Sequence, residues 1–183
     1  MVTIGEVPGH IEALTGDFAK MDLAKDFDVV IAADVFEHIQ IEDEEAFIAK
    51  CVSSLKRGGK LIVSVPHKGA FAWLDPYEIK PLIHRTLVRL GMMKGVHNGS
   101  CDIRKGHKHY RLDELNGQFS GLKFEDVTYF GYLFDPLLTW AYAVFGEQSS
   151  NPLVKWLERR AAAEFRRSYG DKSFNMIAVF SKP

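Results

Sequence analysis

The chain has 183 residues, which suits one domain built around a single core. Its 46% apolar and 26% charged residues exclude wholesale disorder and any collagen-like or coiled-coil composition. With 23 basic and 24 acidic residues, the net charge of −1 announces neither nucleic acid nor an anionic membrane as a global partner. Taken in chain order, residues 2–4 and 10–14 read as short strands, the second ending at Thr15-Gly16-Asp17. Asp28-Val29-Val30-Ile31-Ala32-Ala33 is a nearly continuous apolar run, the pattern of a parallel strand. Residues 43–57 read as a helix, because Phe47, Ile48, Cys51, Val52 and Leu55 form one apolar stripe. Acidic Asp43, Glu44 and Glu45 open that helix, Lys56 and Arg57 end it, and Gly58-Gly59 supplies a left-handed stop. Leu61-Ile62-Val63-Ser64-Val65 is the next strand, stopped by Pro66, which lacks an N–H for the ladder. Strand, helix and strand make a βαβ unit. Helices are expected over 76–90, 112–119, 136–145 and 152–169, and strands over 122–129 and 173–181.

Two cysteines, Cys51 and Cys101, are too few for a disulfide framework and point to a reducing, cytoplasmic setting. The first residues lack the basic and apolar regions of a secretory signal. The apolar stretch 127–145 is interrupted by Asp135 and carries Gly131 and Pro136, so no membrane span is expected. Local charge is uneven: residues 12–45 hold eleven acidic side chains against Lys20 and Lys25. Residues 84–111 hold seven basic side chains against Asp102, with four of the seven histidines. Such asymmetry either steers a ligand or marks two solvated surfaces of opposite sign.

In an open parallel sheet, ligands bind beyond the carboxyl ends of the strands. That rule selects Gly16-Asp17-Phe18, the run from Ala33 through Asp34, Val35, Phe36 and Glu37 to His38, and Pro66-His67-Lys68-Gly69. A rim of Asp17, Asp34 and Glu37 suits a ligand with a cationic part or with hydroxyl and amino groups to donate. Each residue also has an ordinary structural reading, with Asp17 capping a turn, Asp34 capping a helix and His38 sitting in the core.

The run from Phe27 through Asp34 to Glu37-His38-Ile39 resembles the fourth-strand motif of class I S-adenosylmethionine-dependent methyltransferases. Leu55-Lys56-Arg57-Gly58-Gly59-Lys60 with the strand that follows is similar to the helix stop and fifth strand of that family. Gly16-Asp17 resembles the end of its third strand, Gly106 to Leu115 its histidine-then-helix stretch, and the terminal strand its seventh. The resemblance implies a Rossmann-like α/β fold: a mostly parallel sheet, helices on both faces and an antiparallel C-terminal strand. All of 1–183 would form one methyltransferase-like domain, with 127–172 a helical region on the acceptor side.

The resemblance also implies S-adenosylmethionine as cofactor. Asp17 would accept from the adenine amino group and the Phe18 amide would meet a ring nitrogen. Ala33, Asp34 and Val35 would line the methionine end, and Glu6 would hold the ribose hydroxyls. The sequence departs from the family at its glycine-rich first loop: Gly5, Gly9 and Gly16 are dispersed around Pro8. The fold is therefore expected to be N-terminally incomplete, a truncated form.

In-line methyl displacement asks the protein to align the acceptor and exclude water, with a base where the acceptor is a hydroxyl. His67, then His38, are the candidate bases. The expected acceptor is a small molecule, a glycan or a lipid precursor, and not nucleic acid. Phe130, Tyr132, Phe134, Trp140, Tyr142 and Phe145 would be ordinary core or an apolar face for a lipid-linked substrate. His97, Cys101, His107 and His109 offer zinc donors, but their spacing follows no zinc pattern, and no metal is expected. The rival reading is a non-catalytic methyltransferase-like remnant that acts as a binding module.

Overall fold

The protein is described by a computed structural model over residues 14–22, 26–75, 86, 89–90, 108–146 and 148–183. Four strands form one sheet: β1 (Phe27–Ala33), β2 (Leu55–Pro66), β3 (Lys123–Phe130) and β4 (Asn175–Ser181), in the order β1-β2-β4-β3. β1 and β2 are parallel, while β4 runs antiparallel to both of its neighbours. Helix α1 (Ile41–Ser54) links the parallel pair, as the βαβ reading requires. Helix α2 (Leu112–Gln118) precedes β3, and α3 (Phe134–Phe145) and α4 (Pro152–Glu164) form a hairpin between β3 and β4. The α/β Rossmann-like class with an antiparallel last strand is thus the observed one.

Strand alternation decides where the core lies. Leu61, Val63 and Val65 of β2 face the same way as Met176, Ala178 and Phe180 of β4, and all six are buried. Phe47 and Cys51 of α1, with Leu115 and Phe119 beside them, cover that face. Phe36 sits at the centre, in ring contact with Phe47, Tyr110 and Phe119. On the opposite face Val29 and Ile31 are 44% and 66% exposed. The hairpin reaches that face only at its end, where the Phe130 ring meets Phe165 at 5.1 Å. Among the described residues, the closer helical cover lies on the face of α1 and α2, and the α3–α4 hairpin meets the other face where Phe165 and Asp135 reach Phe130 and Asn175.

Helix α1 ends three residues earlier than its sequence suggests, and β2 begins at once at Leu55. Lys56 and Arg57 belong to the strand, and Gly58-Gly59 is not a helix stop but a widened stretch of ladder. The pairing passes from Phe27↔Leu55 to Val29↔Lys60, so two steps on β1 span five on β2. Gly58 takes φ 75° and donates its N–H to the Lys182 carbonyl at 2.8 Å. At Gly59 a Cβ would lie 2.9 Å from the backbone oxygens of both Lys56 and Phe27, so only glycine fits. Helix α4 also stops short of the expected 169. Tyr169 instead stacks on Tyr132 at 4.6 Å and donates its N–H to Ser173 Oγ, turning the chain into β4. The expected strand over 2–4, the one over 10–14 apart from Leu14, which is in no strand, and the helix over 76–90 apart from Thr86, Arg89 and Leu90 lie outside the described residues.

Candidate functional site

The carboxyl ends of β1 and β2 open into a cavity of about 440 Å³. Asp34 leaves β1 with φ 51°, a left-handed conformation uncommon for a residue with a side chain. It is held there from both sides of one residue: its N–H donates to the Ser64 carbonyl at 3.1 Å, and Ser64 Oγ donates to Asp34 Oδ1 at 2.8 Å. A one-turn 3₁₀ segment, Phe36–His38, follows. Phe36 turns into the core, which leaves Glu37 and His38 on the cavity wall with Asp34. Glu37 Oε1 lies 3.8 Å from His38 Nε2.

The opposite wall comes from α3 and β4. Asp135, in the first turn of α3, accepts from Asn175 Nδ2, and Thr139 one turn on also lines the cavity. Gly131 makes room for this pair, since a Cβ there would stand 3.2 Å from both Asp135 Oδ2 and Asn175 Nδ2. Burial pushes the Asp135 carboxyl up to about 6, with the charges of Glu164, Asp34 and Asp75 adding to the rise and Asn175 opposing it. Asp75 completes the acidic lining from the turn after β2. It is buried and accepts from His109 Nε2 at 2.8 Å, while His109 Nδ1 lies 3.2 Å from the His67 carbonyl.

Of the residues chosen from sequence, Asp34, Glu37 and His38 meet on this cavity. Ala33 and Val35 flank Asp34 and are exposed at the same strand end. His67 stands apart from the lining: it is 4% exposed, its Nδ1 meets the Ser173 carbonyl at 3.0 Å, and burial lowers its pKa. Asp17 and Phe18 pack elsewhere. Asp17 is paired with Lys20 at 2.7 Å, and this hydrogen bond lowers its pKa. The Phe18 ring meets Phe47 of α1 at 5.2 Å. Glu6, His97, Cys101 and His107 lie outside the described residues, and His109 is engaged by Asp75. Sequence reasoning missed Asp75, Asp135 and Asn175 as lining residues. For Asp135 a signal existed, because it is the one acidic residue that breaks the apolar stretch 127–145.

A parallel βαβ unit with a ligand-sized acidic cavity at its strand ends defines the general class, an α/β protein with a Rossmann-like crevice. Residues 3–63 match the family model described as a methyltransferase domain, which covers about one third of the chain. That segment takes in Gly16-Asp17 and the run from Phe27 to Ile39, two of the motifs that carry the resemblance to class I S-adenosylmethionine-dependent methyltransferases. Solved structures are similar to the chain at low identity. The N-methyltransferase NodS from Bradyrhizobium japonicum is 12% identical, with 92% of this chain and 52% of NodS covered and a TM-score of 0.42. A putative sarcosine dimethylglycine methyltransferase from Galdieria sulphuraria is 16% identical, with 91% and 57% covered and a TM-score of 0.46. The 1,6-didemethyltoxoflavin-N1-methyltransferase of Burkholderia thailandensis is 9% identical, with 92% and 49% covered and a TM-score of 0.48. The chain thus spans about half the length of these proteins. No curated protein matches it.

Proposed function

We propose that this chain takes part in methyl transfer from S-adenosylmethionine to an acceptor seated in the acidic cavity. The observation that carries the reading is Asp34, fixed in a left-handed turn by Ser64 at the cavity mouth, within the segment that matches the methyltransferase family. When bound, the cofactor supplies an electrophilic methyl group. The donor set suits it at one end, because carboxylates on the wall favour the positive charge of a sulfonium and an ammonium. Ala33, Asp34 and Val35 would hold that end. Asp17, Phe18 and Glu6 would belong to the nucleoside end, and Asp17 and Phe18 stand away from the cavity lining.

The chain's own residues divide the remaining work. His38, on the wall beside Glu37, is the side chain placed to receive a proton from the acceptor. His67 holds the end of β2 against Ser173 and so positions the wall. Asp75 and Asp135 orient an acceptor that presents an amine or hydroxyl, as a small molecule, a glycan or a lipid precursor does. Calorimetric titration with S-adenosylmethionine tests the reading, alongside transfer of a labelled methyl group to a panel of such acceptors. Saturable binding that Asp34→Ala weakens about tenfold, the size of one lost charge-assisted contact, supports it. Absence of binding by the unaltered chain rejects it and favours the second reading, a non-catalytic binding module. The place of Asp17 outside the cavity is the observation on that side.

A further inference from the structure

The α3–α4 hairpin has its own small core, Val154 and Leu157 against Ala141, and that core fixes which side of α4 faces outward. Leu153, Trp156 and Arg160 recur at i, i+3 and i+7 and form one outward stripe; Lys155 and Arg159 form the next. Leu153 is 50% exposed and Trp156 46%, and Val144 at the end of α3 is 71% exposed. The Arg160 guanidinium lies over the Trp156 ring at 5.5 Å. Arg166 and Arg167 follow the helix and are exposed. Among the described residues, none of the arginines at 159, 160, 166 and 167 enters an ion pair. The helix's other acidic side chain besides Glu158 is Glu164, which is buried and turned toward α3.

We propose that the outward side of α4, with the end of α3, docks on an anionic lipid bilayer surface, the helix lying in the plane of the interface. Charge complementarity names the partner: guanidiniums meet anionic head groups, while Trp156, Leu153 and Val144 enter the boundary with the acyl chains. Nucleic acid would use the arginines equally well but gains nothing from exposed Leu153 and Val144. The near-zero net charge of the whole chain conceals this patch, because the acidic excess lies at residues 12–45. Phe165, which caps the far end of α4, is on the cavity wall, so the docked helix ends at the site. The proposal is independent of methyl transfer, since lipid contact is read whether or not a cofactor binds.

The test is flotation of the full 183-residue chain with phosphatidylcholine vesicles, with and without about one third phosphatidylglycerol. Binding should require the anionic lipid, weaken with added salt, and fall about fivefold for each of Arg159→Gln and Arg160→Gln. The double variant Val144→Ser, Leu153→Ser alters only exposed side chains and should lose about tenfold with an unchanged circular dichroism spectrum and melting temperature. Three outcomes overturn the proposal. One is equal partition with and without phosphatidylglycerol. Another is loss with the arginine variants alone, accompanied by equally tight binding to duplex DNA, which assigns the patch to nucleic acid. The third is a dimer in the absence of vesicles that the apolar double variant abolishes.

Discussion

Asp135 shows how one side chain ties the site to stability. Its carboxyl is buried beside Asn175, with Glu164, Asp34 and Asp75 near enough to oppose its charge, and its pKa rises from 3.8 to about 6. The folded state therefore prefers the neutral acid. Its stabilising contribution is complete below the unfolded value of 3.8 and is lost as pH rises through about 6. Asn at this position keeps an acceptor for Asn175 and cannot ionise. Asp135→Asn should thus gain on the unaltered chain by about 3 kcal/mol between pH 3.5 and pH 7.5, two pKa units' worth. Urea melts of both proteins at the two pH values measure the difference directly. A gap that does not change with pH means that the Asp135 carboxyl titrates in the fold at its ordinary value.

At the scale of elements, the hairpin is anchored by a carboxylate from one helix at the start of the other. Glu164, in the last turn of α4, accepts from the N–H groups of Tyr132, Leu133 and Phe134 at 3.1, 3.3 and 2.8 Å. These are donors that the first turn of α3 cannot satisfy within itself. Glu164→Ala leaves them buried without that acceptor and should lower unfolding stability by about 2–4 kcal/mol, while Glu164→Gln, which keeps one oxygen, should lower it by about half as much. Thermal melts rank the two, and equal losses show that packing rather than acceptance is at stake. No periodicity reveals this contact, which joins residues about thirty apart, whereas the periodicity does reveal both helices. The same division runs through the chain. The strands at 27–33 and 61–65 and the helix between them are legible because a covered parallel strand and a one-sided helix each impose their own spacing of apolar residues. The widened ladder at Gly58-Gly59 is not legible, since a left-handed glycine ends a helix and widens a ladder with equal ease. In the site, Asp34, Glu37 and His38 follow one strand and are selected together by the strand-end rule. Asn175 arrives only because antiparallel β4 sets it opposite Pro66, a register that no local pattern encodes.

At the scale of the whole molecule, cover on the sheet is uneven. One face is closed by α1 and α2 around Phe36, while among the described residues β1, at the sheet's end, pairs on one side only, with β2. Its Val29 and Ile31 point to the less covered face and are largely in water. An edge strand offers a row of N–H and C=O groups to any second strand, and apolar side chains beside that row add a driving force. Natural edges suppress such pairing with inward charges, and Asp28, engaged by Lys56, is the charged side chain of this one, at its start. The 183-residue chain should therefore self-associate as its concentration rises, more strongly in high salt, where hydrophobic burial is favoured and the Asp28–Lys56 pair is screened. Sedimentation velocity over a wide concentration range measures this. Ile31→Lys places a charge on the exposed face without touching the core, so it should restore a monomer while the melting temperature holds. A chain that stays monomeric at every concentration, with the same sedimentation coefficient in the Ile31→Lys variant, shows that the edge and face are covered by the chain itself.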